Sequence, residues 1–121
     1  MIKILLAEDS DIITRIIVHK FEKDNYSIVR LATGEKVYET ALSLKPNLLI
    51  LDLLLPIRNG LTILRDLKSN PTTSKIPVII FTTNNNEEML QSALDLGAVD
   101  YILKPFSTNE MAAKVKKYTS F

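Results

Sequence analysis

Two adjacent acids, Glu8 and Asp9, follow the apolar run near the start of the chain, and a third, Asp52, closes a run that is apolar at nearly every position. Thr82 closes another such run, and Lys104 follows the last. If one site gathers these side chains, three carboxylates against one ammonium leave a formal charge of about −2. That charge is costly in a partly desolvated cleft and is neutralised by one divalent cation. Oxygen donors in an open, hydrated site favour Mg²⁺ or Mn²⁺. A carboxylate held by metal on one oxygen keeps the other as a nucleophile, while metal, lysine and hydroxyl offset charge on a transferring phosphoryl group. Together these residues describe a phosphoryl-acceptor site with Asp52 as acceptor.

Taken singly, the residues say less. An E-D pair is usually a solvated loop or helix start, a threonine suits a strand for its β-branching, and a lysine suits a strand end. Asp52 is harder to read as structural, because an unpaired acid at the end of a buried strand is expensive to desolvate. The joint arrangement carries the argument, and it depends on elements that bring the five together.

Five short apolar runs supply them: Ile2 to Ala7, Ser27 to Ala32, Asn47 to Asp52, Pro77 to Thr82 and Val99 to Leu103. The third and fourth are nearly continuous, as parallel strands buried on both faces are. Helical spacing follows each run. Ser10 or Asp11 caps a first helix with Ile13, Ile16, Ile17 and Phe21 inward, fading by Asn25; Thr33 caps a second with Val37, Ala41 and Leu44 inward, and Pro46 bars its continuation. Asn59 and Gly60 open a third with Leu61, Leu64 and Leu67 inward. Asn84 to Asn86 with Glu87 and Glu88 start a fourth, which Gly97 stops, and Ser107 with Glu110 forms a capping box for the last. Five strand-helix units without a linker predict one α/β domain over residues 1–121, doubly wound, with a parallel sheet of order 2-1-3-4-5 and helices on both faces. Ligands in this class bind outside the carboxyl ends of the strands, near the switch between the first and third strands. The five polar residues fall there.

Composition narrows the function. The chain has 121 residues, 46% hydrophobic and 24% charged, which suits one globular domain. A net charge of +1 provides no field for nucleic acid or an anionic membrane, so neither is expected as a partner. The absence of cysteine fits the cytoplasm and rules out thiolate metal sites. Met1 to Ala7 is too short for a signal sequence, and Leu48 to Ile57, broken by Asp52 and Pro56, falls far short of the ~20 residues a membrane helix needs. His19 reads as a surface residue, and Lys114, Lys116 and Lys117 as charges complementing a helix C-terminus.

The pattern E-D after the first strand, D-x-x-L-P from Asp52 to Pro56, Thr82 after the fourth strand and K-P at Lys104 and Pro105 resembles the response-regulator receiver domain of two-component signalling, over essentially the whole chain. The resemblance implies a CheY-like, flavodoxin-like (βα)5 fold and a signalling phosphoacceptor domain rather than an enzyme. It implies phosphorylation of Asp52 by a histidine kinase or histidine phosphotransfer protein. It also implies Mg²⁺ bound by Asp9, Asp52 and the Leu54 backbone carbonyl, with Glu8 acting mainly through a water on the metal. Thr82 and Lys104 would contact the phosphoryl group, Tyr101 matches an aromatic switch position, and the Lys104 to Pro105 bond would be cis. A downstream output domain or protein would read the switched surface, with a phosphorylation-dependent dimer left open.

Arg58, Asn59 and Thr83 depart from the common pattern. In the family, the residues two beyond the acceptor and two beyond the threonine flank the hydrolytic water; here they are Leu54 and Asn84. Leu54 cannot hydrogen-bond that water, Asn84 is no effective base and Thr83 adds bulk, so slow self-dephosphorylation is expected. Other classes fit poorly. An Asp-nucleophile phosphatase of the D-x-D type finds Leu54 where its general acid belongs, and three glycines leave no nucleotide loop or flavin-phosphate loop. The serious alternative is a receiver-like interaction module that is never phosphorylated.

Overall fold

The apolar runs become five strands, β1 (Lys3–Ala7), β2 (Ser27–Leu31), β3 (Leu48–Leu51), β4 (Val78–Thr82) and β5 (Asp100–Leu103). They alternate with five helices, α1 (Asp11–Lys23), α2 (Val37–Leu44), α3 (Gly60–Ser69), α4 (Glu87–Asp95) and α5 (Thr108–Thr119). The structure, a computed structural model, describes residues 1–83 and 86–120. All strands pair in parallel in the order β2-β1-β3-β4-β5, as expected.

Successive strand residues point to opposite faces, and both faces are buried. Leu5, Ala7, Leu49, Leu51, Val78 and Ile80 pack on one side with Val37 and Ala41 of α2, Ile63, Leu64 and Leu67 of α3 and Ala93 of α4. Ile4, Leu6, Leu48, Ile50, Ile79 and Phe81 pack on the other with Ile17 and Phe21 of α1 and Met111 and Val115 of α5. The apolar continuity of β3 and β4 is thus two half-patterns interleaved.

Helix ends follow local chemistry. Ser10, Asn59, Asn86 and Ser107 each accept a backbone N–H from three residues on, capping α1, α3, α4 and α5. Gly97 takes the left-handed φ of 113° just beyond the end of α4, where the helix stops. Two expectations are corrected, at Ile16 and Thr33. Ile16 is 44% exposed, and the inward face of α1 runs through Thr14 instead. Leu61 packs half-buried against the core, as expected, beside the fully enclosed Ile63. Thr33 does not cap α2, which begins at Val37 behind Lys36; its hydroxyl accepts from the Glu35 N–H inside a preceding turn.

Register delivers the site. Ala7 lies opposite Leu51, so Glu8 and Asp52 leave the sheet side by side, and the Asp52 N–H donates to the Ala7 carbonyl at 3.0 Å. Thr82 lies opposite Leu103, and the Lys104 N–H donates to the Thr82 carbonyl at 2.9 Å.

Candidate functional site

Glu8 is wholly shielded from solvent, Asp52 is buried and Asp9 is exposed. Carboxylate oxygens of all three lie within 4.8 Å of one another. Lys104 closes the group from the far side: its Nζ donates to Glu8 Oε1 at 2.6 Å and to Asp52 Oδ2 at 2.9 Å. Asp52 Oδ1 accepts the Leu54 N–H at 2.9 Å, and Glu8 Oε2 accepts the Ser10 N–H at 2.8 Å. The ammonium also lies over an aromatic face, with Nζ 4.6 Å from the Phe81 ring centre.

Burial pushes the Glu8 carboxyl above its ordinary range, and the Lys104 and Ser10 hydrogen bonds offset that only in part. Burial alone would lower Lys104, but its bonds to Glu8 and Asp52 outweigh it and hold the ammonium above its usual value. One cation therefore serves two carboxylates beside a third. The negative excess and the all-oxygen donor set fit a hard divalent cation.

Thr82 is fully buried at the end of β4, Thr83 is exposed and Leu54 is 56% exposed. Asn84 lies outside the described residues. The Lys104-Pro105 bond is cis, as expected. Tyr101 is half-buried against the core on the α4 side and borders a groove of about 260 Å³ with Glu87, Leu90, Gln91 and Leu94. Its backbone is held from α5: Lys114 Nζ donates to the Tyr101 carbonyl at 2.7 Å and pairs with Asp100 at 3.2 Å. Lys114 therefore does not serve the helix end as expected, although Lys116 and Lys117 do lie in the last turn. His19 is exposed on α1, as read.

Two departures from the common pattern have structural uses. Arg58 forms an ion pair with Asp66, and Asn59 caps α3. Between them and Asp52 the loop is tight: the Arg58 N–H returns to the Pro56 carbonyl, leaving the exposed Ile57 at φ 74°. Gly60 is required here, because a Cβ at that position would stand 2.6 Å from Leu53 Cα and 2.7 Å from the Asp52 carbonyl oxygen.

Residues 4–116 match the family model described as the response regulator receiver domain. The chain belongs to this family. The receiver is 40% identical over 116 residues to the response regulator ArlR of Staphylococcus saprophyticus, covering 96% of this chain and 51% of the relative. It is 32% identical over 114 residues to the phosphate regulon transcriptional regulatory protein PhoB of Rhizobium meliloti, covering 94% and 50%. The chain thus spans about half the length of the curated relatives it matches. Among solved structures it resembles the BeF3-activated N-terminal receiver domain of Klebsiella pneumoniae RstA, at 27% identity and a TM-score of 0.90, covering 98% and 99% of the two chains. Receiver domains bind Mg²⁺ at an acidic pocket, and the acidic group here is one that could hold a metal.

Sequence reasoning missed Arg30, whose Nε donates to the Glu8 carbonyl at 2.9 Å. The available signal was a single charge inside an otherwise uncharged strand.

Proposed function

We propose that Asp52 accepts a phosphoryl group from a partner histidine kinase or histidine phosphotransfer protein, and that the domain then presents a changed surface to an output domain or protein. The observation that carries this reading is the Lys104 ammonium bridging Glu8 and Asp52 beside Asp9, at the point where β1 and β3 leave the sheet. Asp9, Asp52 and the Leu54 carbonyl would hold Mg²⁺ or Mn²⁺, with Glu8 reached through water. When bound, the cation offsets charge on the phosphoryl oxygens. An Asp52 oxygen forms the new O–P bond as the donor's P–N bond breaks and its imidazole leaves. Lys104 pairs with the transferred group, and Thr82 donates its hydroxyl to it.

The switch follows from the same placement. Thr82 moving toward the phosphoryl oxygens opens space on the α4 side, which the Tyr101 ring enters, biasing a two-state equilibrium at the surface of α4 and β5. Partners read that face, and a phosphorylation-dependent dimer would use it. Among the described residues no helix is long and apolar enough to cross a membrane, and the cysteine-free sequence supports a cytoplasmic setting.

Amide exchange with Mg²⁺ and beryllium fluoride tests the reading. Protection should change within residues 83–106 in the parent and not in Asp52→Asn. Identical exchange with and without the fluoride would count against it.

A further inference from the structure

Arg30 is the sole charged residue of the edge strand β2, and its guanidinium turns toward the β1 to α1 connection. Nε donates to the Glu8 carbonyl at 2.9 Å, while Nη2 lies 2.9 Å from Asp11 Oδ1 in an ion pair that is not a hydrogen bond. The two contacts fall on either side of Asp9. We propose that Arg30 is a positioning residue that holds the Asp9 carboxylate in place for a divalent cation. This rests on the metal reading given above.

The backbone around Asp9 is fixed from several directions. The Glu8 N–H donates to the Leu31 carbonyl at 3.0 Å and the Glu8 carbonyl receives Arg30, so β2 grips that residue through both of its backbone polar groups. On the other side the Ser10 N–H is bound by Glu8 Oε2, and the Ser10 hydroxyl caps α1. Asp9 is the exposed member of the acidic cluster, so its neighbours must supply the order that burial gives Glu8 and Asp52. A carboxylate whose flanking peptides are already fixed meets a cation with less ordering still to do. The Asp11 contact contributes less, since that carboxylate is largely exposed and screened.

Electrostatics alone makes the opposite forecast. A guanidinium near a cation site repels the cation, so removing Arg30 for charge reasons would tighten binding. The sign of the effect therefore decides between positioning and simple charge.

The experiment is calorimetric titration of the full chain with magnesium chloride alone, for the parent, Arg30→Gln, Arg30→Lys, Asp11→Asn and Asp9→Asn, with unfolding followed in chelator as a separate measure of fold stability. Mg²⁺ affinity should fall on the order of tenfold in Arg30→Gln, the size typical when a residue supporting a metal ligand is lost. Arg30→Lys should rescue little, because an ammonium lacks the planar fork that serves both contacts. Asp11→Asn should change affinity less than twofold, within about 0.4 kcal/mol. Should Arg30→Gln prove unfolded, Arg30→Lys carries the test. Unchanged or tighter Mg²⁺ binding in the folded Arg30 variants overturns the proposal, even where they melt earlier. A parent that binds no Mg²⁺, or an Asp9→Asn variant that binds as well as the parent, instead removes the metal reading beneath it.

Discussion

Lys104 Nζ stands 2.6 Å from Oε1 of Glu8, a carboxylate with no exposure to solvent. Burial works against the charge on each partner, and each supplies a hydrogen bond that favours the other's ionised form. The pair holds only because both members are present, and Asp52 at 2.9 Å shares the same ammonium.

Lys104→Met should therefore destabilise the metal-free domain by about 3 kcal/mol, the range seen when one member of a buried ion pair is removed. Saturating Mg²⁺ should recover part of that loss by taking over as counter-charge. Urea unfolding in chelator and in Mg²⁺ checks both statements. A variant as stable as the parent in chelator would mean that Glu8 is not held by Lys104.

Asp100, beside Tyr101 in β5, offers a pH-dependent contribution to stability. Burial alone would raise its carboxyl, but the Tyr101 N–H, Lys114 and Tyr118 together pull it below its ordinary value. A carboxyl lowered by folding stabilises the fold above its unfolded pKa and loses that contribution as pH falls through the folded value. The window lies below about pH 4. Asp100→Asn should cost about 1 kcal/mol at pH 7, a modest figure because the group is partly solvated. The gap to the parent should narrow as pH drops through that window. Chemical unfolding across this range reads it, and a gap that stays constant would show that the Asp100 charge is not what matters.

Leu54 sets an expectation for the lifetime of the phosphorylated state. Its side chain is exposed beside Asp52 and offers no hydrogen bond to a hydrolytic water. Leu54→Asn should speed decay by roughly three- to tenfold, up to about 1.4 kcal/mol of barrier. Thr83→Ala should speed it less. Following phosphoprotein decay in excess Mg²⁺ measures both, and parent-like decay in each variant would place control of the lifetime elsewhere.

Much of the fold was legible because its signals are local. Apolar runs of strand length, Ser and Asn caps, and Gly97 act through neighbours a few residues away, and five repeats leave few topologies for a parallel sheet. The site was legible for a related reason. In this class polar residues at strand ends converge, so Glu8, Asp9, Asp52 and Lys104, which the structure brings together, could be gathered before any distance was known, with Thr82 at the end of the neighbouring strand.

What escaped the sequence was set by tertiary contact. Ile16 extends an apolar stripe on paper, yet packing of α1 turns Thr14 inward and leaves Ile16 half in solvent. Thr33 has the chemistry of a cap, but a Cβ at Gly34 would stand 2.1 Å from the Arg58 carbonyl oxygen, and that close approach of two loops delays α2 to Val37. Lys114 looked like a helix-end charge because its hydrogen-bond partners, Asp100 and the Tyr101 carbonyl, belong to another element. Arg30 reaches 22 residues back to Glu8, a separation no local pattern encodes.

The central claim is that Asp52 is the phosphoryl acceptor, and intact-mass measurement after incubation with acetyl phosphate tests it most directly. In Mg²⁺ the parent should gain the mass of one phosphoryl group, and in chelator it should gain none. Asp52→Asn should remain unmodified in both. An unmodified parent in Mg²⁺, or an Asp52→Asn variant labelled as fully as the parent, would contradict the account.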